Sequence, residues 1–438
     1  MKELILKLIG NQNFVLLTYY KLKSIVAACF YFFPSRKIKV IGVTGTDGKT
    51  TTVNLIASML ENAGYKVGFT STLRYKIGDE VWSNKDKMTT QSPFVVQKML
   101  RRMVKNGCDY AILEVTSHAM VQSRVWGINF DVGVFTNISN DHVEYHGSFE
   151  KYMRAKGKFI GSLFGMKRKS ATPKVLILNN DDDHFEYFDQ FQADLKMTYG
   201  INKGGILAQD INLKPNSTDF YFKVPNDGVE MTTKLIGEFN VYNAMAAMCV
   251  GVSQGLSLQV IKQAFANIDP ISGRFESVNV GQDFSVIVDY AHTPDALEKA
   301  CSIFKGLTTG QLILVFGATG GGRDKSKRPV MGAIADRLAD MIVLTDDDPY
   351  FEDRFGIIEQ IASGINRVEG NGLYKIVDRE QAIKFALQNA KTGDTVLITG
   401  KGGEEVIVIK DKKIPYDDRI VCRKFLSEKI YNNLEIIA

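Results

Sequence analysis

Lys49 and Thr50 stand where an ammonium and a hydroxyl can act together on a chain of phosphates. Residues 38–52 read IKVIGVTGTDGKTTT: an apolar strand-like run, a glycine-containing turn, then Lys-Thr at the head of a helical pattern. Glycines let backbone N–H groups approach phosphate oxygens, and a helix N-terminus adds partial positive charge. In that arrangement Gly45, Thr46, Asp47 and Gly48 form the cradle with Thr51 behind them. Lys49 reaches the β- and γ-phosphates, and the Thr50 hydroxyl binds Mg²⁺. The strict spacing GxxxxGK[ST] is not met, because Val43 stands five positions before Gly48, with Gly42 and Gly45 on either side. ATP fits better than a dinucleotide, since no GxGxxG opens the unit.

A phosphate loop alone does not separate an NTPase from a kinase or a ligase. Glu114 ends the apolar run of AILEVTSH, and a carboxylate at the carboxyl edge of a strand faces the ligand crevice. His142 follows the next apolar run, in TNISNDHVEYHG. Either residue alone reads as a satisfied core or surface group. Their placement after successive strands makes both candidates for Mg²⁺.

The elements that must position these groups follow an alternating pattern. Strand-like runs at Ile38–Val43, Ala111–Val115, Val132–Asn137 and Val175–Leu178 are separated by helical patterns at Lys49–Asn62, Pro93–Asn106 and Phe149–Leu163. Such alternation predicts a parallel sheet covered by helices. Residues 206–237, with LKPNSTDF and VPNDGV, predict antiparallel hairpins. A second series follows at Ser285–Val288, Leu312–Phe316, Met341–Leu344, Tyr374–Val377 and Thr395–Thr399. The expected fold is α/β: a phosphate-loop central domain with a mostly parallel sheet over 38–271, and a smaller C-terminal Rossmann-like α/β domain over 272–438. Residues 1–37 form an apolar N-terminal segment. Its run Phe14–Phe33 is interrupted by Lys21, Lys23 and Ser24, which argues against a membrane span. It reads first as a helix packed on the protein, and second as an interfacial helix in weak contact with a membrane surface through residues 14–33.

The 438 residues suit roughly three units. A composition of 45% hydrophobic and 24% charged residues excludes a disordered or fibrous chain. The net charge of +5 gives no reason to expect nucleic acid. Five scattered cysteines form no CxxC or Cys/His cluster, so neither a disulfide frame nor a zinc site is expected, and the location is expected to be cytoplasmic.

The chain resembles the Mur ligases, ATP-dependent amide-forming enzymes of peptidoglycan precursor synthesis. The resemblance is carried by GTDGKTT at 45–51, Glu114, NDHVEYHG at 140–147, RAKGKF at 154–159, GEFNVYNAMAA at 237–247, SGRFE at 272–276 and DYAHTPDALE at 289–298. It implies that Lys156 is carbamylated and holds a second Mg²⁺ beside the ion shared by Thr50, Glu114 and His142. Burial would favour the neutral amine that CO₂ attacks. It implies adenine contacts from Asn240 and Asn243, and contacts to phosphates and ribose from Arg274, Asp289 and His292. Lys49, Lys156 and His292 are then the catalytic candidates.

Three segments are similar to those of members that add the third residue of the stem peptide: TTQSP at 89–93, EVTSHAMVQSRV at 114–125 and ATGGGRDKSKRPVMG at 318–332. They imply that Thr89, Thr90, Thr116, Ser117, Gln122, Arg124 and Arg323 bind UDP-N-acetylmuramoyl-L-alanyl-D-glutamate and its partner, a free amino acid. That amino acid is chosen by Asp347, Asp348 and Tyr350 with Gly400 and Glu404. Members that take meso-diaminopimelate read Asp-Asn-Pro-Arg where this chain reads Asp-Asp-Pro-Tyr. Losing the arginine and gaining a carboxylate favour L-lysine or a similar diamino acid. The implied chemistry is attack of the D-glutamyl carboxylate on ATP, giving an acyl phosphate, then displacement of phosphate by the amine, with both α/β domains closing. The 37 residues before the phosphate-loop strand are fewer than the family's usual uridine-binding domain, which raises a lipid-linked acceptor as an alternative. Poly-glutamate ligases share the loop without the Asp-Asp-Pro and GKGGE segments. A non-catalytic ATP-binding scaffold has no need to retain Lys49, Glu114, His142 and Lys156 together.

Overall fold

The computed structural model describes residues 13–84, 88–139, 141, 143–165, 168–169, 172–214, 217–268, 272–322 and 324–437; the side chains of 143, 144 and 430–437 are left aside. His142 and Arg323 fall outside the described residues. The chain divides into two compact units, one running to Asn212 and continuing over Thr218–Ile268, the other made of Leu213–Ser217 and the chain from Asp269 onward.

The first unit opens with helix α1 (Phe14–Phe30), followed by β1 (Lys39–Thr44), α2 (Lys49–Asn62), β2 (Val67–Thr70), β3 (Arg74–Ile77), β4 (Glu80–Ser83), α3 (Pro93–Lys105), β5 (Tyr110–Glu114) and α4 (Ser117–Val121). Then come β6 (Val132–Phe135), α5 (Val143–His146), α6 (Phe149–Ser162), β7 (Val175–Asn179), α7 (Phe185–Asp189), β8 (Leu195–Gly200), β9 (Ile206–Leu213), β10 (Thr218–Val224), β11 (Asp227–Thr233), α8 (Glu238–Ser253) and α9 (Leu258–Asn267). The strands form one sheet in the order β11-β10-β9-β8-β7-β6-β1-β5-β2-β3-β4. β1 pairs in parallel with β5 on one side and β6 on the other. The chain leaves β1 towards one half of the sheet and later returns to the other, so a crevice opens at the carboxyl ends of these three strands. The expected hairpins exist as β10–β11, while β9 joins the sheet by a parallel pairing to β8.

Because both faces of the sheet are covered, β1 is apolar throughout rather than alternating. Ile41 and Val43 pack under α2, α8 and α9, and Val40 under α3 and α6. Gly42 is dictated by α6: a Cβ there would lie 2.4 Å from the ring of Phe159 and 2.8 Å from that of Phe130.

α1 sits on α3, where Phe30 meets the Phe94 ring, and its Ser24, Ala27 and Ala28 are buried, Ala28 beside Gly127. Asn13 caps it by accepting from the Val15 N–H at 2.9 Å. It ends in two successive aromatic residues in the left-handed region, Phe32 (φ 57°) and Phe33 (φ 48°). The Phe33 ring lies against Trp126, with the Arg36 guanidinium 4.3 Å above it, while Phe32 points into solvent.

The second unit carries β12 (Glu276–Ser277), β13 (Ser285–Asp289), α10 (Pro294–Leu307), β14 (Leu312–Phe316), α11 (Lys327–Leu338), β15 (Met341–Leu344), α12 (Arg354–Ala362), β16 (Leu373–Lys375), α13 (Arg379–Asn389), β17 (Thr395–Thr399), β18 (Val406–Ile409), β19 (Lys412–Pro415) and α14 (Asp418–Ile437). Its main sheet runs β12-β13-β17-β14-β15-β16, parallel except for β12, with β18–β19 as a separate ribbon. Buried Arg379 ties the carboxyl ends of two strands together. It donates to the carbonyls of Asp346 and Thr399, each at 2.9 Å, and is paired with Asp418.

Gly42→Ala forces the Phe159 ring to move inside a close-packed layer. We expect a loss of about 1–3 kcal/mol in urea unfolding, and unchanged stability would contradict this packing.

Candidate active site

The phosphate loop is held from beneath by the residues after β6. Thr46 N–H donates to the carbonyl of Asn137 at 2.9 Å, and Asp47 N–H to the Asn137 Oδ1 at 2.9 Å. Thr136 Oγ1 donates to the Asp47 carbonyl at 2.7 Å. A Cβ at Gly45 would fall 1.8 Å from Thr136 Oγ1, and one at Gly48 (φ 78°) 2.1 Å from Asn243 Oδ1. Both glycines are therefore required by close approach, at the turn and at the cap of α2. Lys49 donates to the Gly45 and Thr46 carbonyls at 3.0 and 2.6 Å, so its ammonium lies over the loop. Thr51 is buried in the first turn. Asn243, which donates to Asn240 Oδ1 at 3.1 Å, stands directly behind Gly48, and Asn240 donates to the Ile236 carbonyl.

Glu114 is 1% exposed at the end of β5. It accepts from Thr50 Oγ1 at 3.0 Å, from Thr72 N–H at 2.9 Å and from Thr72 Oγ1 at 3.1 Å. Burial pushes its carboxyl above the usual range, while Lys49 and the threonine bonds pull it back. A buried carboxylate touching the loop threonine hydroxyl is an all-oxygen donor set suited to Mg²⁺. Lys156, 2% exposed on α6, donates to the Gly45 carbonyl and lies 4.6 Å from the centre of the Tyr152 ring. Burial first, and the nearby Lys49 second, hold its amine well below an ordinary lysine. Tyr152 reaches the loop as well, its hydroxyl 2.9 Å from Thr46 Oγ1.

The other wall of the crevice is a chain of hydroxyls. Thr72 Oγ1, its proton directed at Glu114, lies 3.0 Å from Thr89 Oγ1. Thr90 Oγ1 donates to the Glu114 carbonyl at 2.8 Å, accepts from Thr116 N–H at 3.0 Å, and lies 3.2 Å from Thr116 Oγ1. Thr116 caps α4 through Ala119 N–H. Ser117 Oγ is 3.0 Å from Nε2 of the buried His146. Arg124 donates to the Thr90 carbonyl at 2.6 Å and to Gln122 Oε1 at 2.7 Å, and Gln122 Nε2 reaches the Tyr145 hydroxyl at 2.9 Å. Glu114 is thus joined to Arg124 through Thr90 within one hydrogen-bonded wall.

In the second unit, the buried Asp289 accepts from Phe275 and Ala291 N–H, each at 2.9 Å. Burial raises its carboxyl, opposed by Arg274. The Arg274 guanidinium stacks 4.7 Å over the Tyr290 ring, and its Nε is buried without a hydrogen bond. His292 Nδ1 is 2.9 Å from the Tyr290 carbonyl, so the ring donates there and keeps a lone pair on Nε2. Burial lowers its pKa below the usual 6.5, assisted by Lys327 and Arg274. Burial thus favours the neutral imidazole, against the Tyr290 bond and Asp347, which favour the charged one.

Asp347, Asp348 and Glu404 form the one carboxylate cluster with metal-like spacing among the described residues. Its centre is filled by Lys401, wholly buried, at 3.5, 2.9 and 2.8 Å from the three. Asp348 also accepts from Val408 N–H at 2.8 Å. The added carboxylate at 348 is consequently neutralised within the protein, which corrects the expectation that it faces a ligand as a free negative charge. Burial alone would raise Asp347, but Lys401, Arg379 and His292 outweigh it and hold that carboxyl below its ordinary range. Gly400 (φ 112°) packs beside it, a Cβ there falling 3.1 Å from Asp347 Oδ2. Tyr350 (φ 51°) is fixed by backbone bonds to Val408 and Lys410, and its ring covers Gly321. Arg354 is paired with Asp346 at 2.5 Å.

A Mur ligase middle domain matches residues 43–251, and a Mur ligase glutamate ligase domain matches residues 273–402. The UDP-N-acetylmuramoyl-L-alanyl-D-glutamate--2,6-diaminopimelate ligase of Geobacillus thermodenitrificans (strain NG80-2) is 41% identical over 408 residues, 93% of this chain and 82% of that protein. A UDP-N-acetylmuramyl-tripeptide synthetase of Roseiflexus sp. (strain RS-1) is 38% identical over 417 residues, again 93% and 82%. A solved structure of a UDP-N-acetylmuramoyl-L-alanyl-D-glutamate--2,6-diaminopimelate ligase superposes with a TM-score of 0.66 at 30% identity, covering 90% of this chain and 79% of that one. The chain belongs to the Mur ligase family. It is an ATP-dependent, ADP-forming ligase.

Seen as a Mur ligase site, the crevice contains groups that sequence reasoning passed over. Thr72 bridges Glu114 and Thr89, and Asn137 holds the loop. Tyr145, His146 and Tyr152 line the wall, the first two inside a motif from which only His142 was taken. Their signal was proximity in sequence to strand ends, which many inert residues share.

Two outcomes test this geometry. Lys401→Met leaves three carboxylates around an apolar side chain and should cost about 3–5 kcal/mol at pH 7. Because the Asp347 carboxyl is depressed in the folded state, that stabilisation is present above its unfolded value and lost below it. The gap to wild type should narrow as pH falls below about 4. By NMR, His292 should carry its proton on Nδ1 and titrate below 6.5; a midpoint at or above that value would contradict the burial argument.

Proposed function

We propose that this Mur ligase joins a diamino acid to the D-glutamyl carboxylate of UDP-N-acetylmuramoyl-L-alanyl-D-glutamate in the cytoplasm, as a step of peptidoglycan precursor synthesis. The observation that carries the reading is the wall from Thr50 through Glu114 and Thr90 to Arg124. It sets a phosphate cradle and a row of hydroxyl and guanidinium donors on the same crevice.

Lys49 and the loop N–H groups would hold the ATP phosphates, and Thr90, Thr116, Ser117 and Arg124 would orient the acceptor carboxylate. That carboxylate attacks the γ-phosphorus, ADP leaves, and an acyl phosphate forms. The amine then attacks the acyl carbon and phosphate departs. Positioning and charge compensation carry most of the rate. Thr50 and Glu114, with His142, would hold Mg²⁺, which when bound polarises phosphoryl oxygens. Lys156 would become a carbamate; its buried amine, held below the ordinary lysine range, and the nearby Lys49 ammonium support that reading. Asn240 and Asn243 are proposed for adenine, and Arg274, Asp289 and His292 for nucleotide contacts. Gln122 and Thr89 would support the acceptor.

The second unit would select the amino acid through Asp347, Tyr350, Gly400, Glu404 and Arg323. Tyr350 offers no cation for a distal carboxylate, and Arg354 is already paired with Asp346. L-lysine is therefore the first candidate. Diaminopimelate is the second, favoured by the names of the relatives.

Mass spectrometry of the protein with ATP, Mg²⁺, UDP-N-acetylmuramoyl-L-alanyl-D-glutamate and single amino acids decides between them. We expect a tripeptide product with L-lysine; a product with diaminopimelate alone reverses the choice of amino acid, and no product with any amino acid overturns the acceptor. In ¹³C-bicarbonate, a carbamate resonance present in wild type and absent in Lys156→Ala is expected, and its absence in both removes that role.

A further inference from the structure

We infer that α1 docks the protein on an anionic lipid surface, lying flat with its outward face in the headgroup region. Helical spacing gathers Val15, Tyr19, Leu22, Val26 and Phe30 on one face of α1, opposite the buried Ser24, Ala27 and Ala28. These five are 56–74% exposed. The stripe continues into Phe32, 78% exposed, which the turn at Phe32–Phe33 holds outward although both residues adopt left-handed backbone angles. Non-glycine residues adopt that conformation at an energetic cost. The packing of Phe33 against Trp126 and Arg36 holds the turn in place, and an exposed phenylalanine is the result.

Charge selects the occupant. Between Phe14 and Thr46 there are five basic residues and no carboxylate. Lys21, Arg36 and Lys37 are exposed on or beside α1. An apolar and aromatic stripe beside the exposed Lys21, Arg36 and Lys37 matches an interface rich in anionic headgroups. A second copy would bring Lys21, Arg36 and Lys37 against the same cations and be repelled. No helix among the described residues is long and apolar enough to cross a bilayer, so the contact is superficial. The inference is independent of the acceptor and of the amino acid.

The test is co-sedimentation of the full chain with phosphatidylglycerol/phosphatidylcholine vesicles and with phosphatidylcholine alone. Binding to the anionic vesicles is expected, roughly tenfold or more above the neutral ones, falling with added salt. Leu22→Glu/Val26→Glu should reduce it by about tenfold or more, with Tm and ATP turnover unchanged. No binding to anionic vesicles, or undiminished binding by the variant, overturns the inference. So does a dimer in sedimentation velocity that the variant abolishes while vesicles are ignored, or a fall in the variant's Tm without vesicle binding.

Discussion

Glu114 sits at the centre of this protein's organisation because a carboxylate cannot be withdrawn from water without partners. An unpaired buried charge costs several kcal/mol, and Glu114 is almost fully enclosed. Its partners come from two places: Thr50 and, through charge, Lys49 from the first turn of α2, and Thr72 from the loop after β2. Meeting that requirement brings the carboxyl ends of β1, β2 and β5 to one point. Thr90 then bonds the Glu114 carbonyl, and through Thr116 and Arg124 the order spreads along the crevice. The same carboxylate that needs these donors is the oxygen ligand a divalent cation would seek, so satisfying burial and preparing the site are one arrangement.

The second unit solves the inverse problem. Lys401 is a buried ammonium, and Asp347, Asp348 and Glu404 surround it. The cage fixes the loop after β17 against the loop after β15, while Arg379 ties the same strand ends from below through the Asp346 and Thr399 carbonyls. The side chains proposed to select the amino acid are thereby mounted on a charged platform. A three-carboxylate cluster invites a reading as a cation site. Here the cation is part of the chain.

α1 differs from both. Its buried residues are the small Ser24, Ala27 and Ala28, and its outer face carries large apolar ones. Such a helix has a side left exposed among the described residues, and the strained turn after it extends that side rather than folding it away. Stability alone does not explain why Phe32 is held outward.

The strand-loop-helix grammar around Lys49 and the alternation of apolar runs were legible in the sequence, since periodicity and glycine placement act over a few residues. β13, β14, β15 and β17 lie close to where the apolar runs predict them, and β16 slightly earlier. What stayed hidden was set by contacts between residues far apart in the chain. Thr72 reads as an unremarked loop threonine until β2 is laid beside β5, 42 positions from Glu114. Asp348 reads as a free negative charge until Lys401, 53 positions on, enters its cluster. The sequence by itself determined which residues can bind phosphate, accept a proton or line a strand, because those are properties of local chemistry. Which charges remain available for a ligand was decided only by the tertiary structure, because burial and pairing depend on neighbours that the order of residues does not place together.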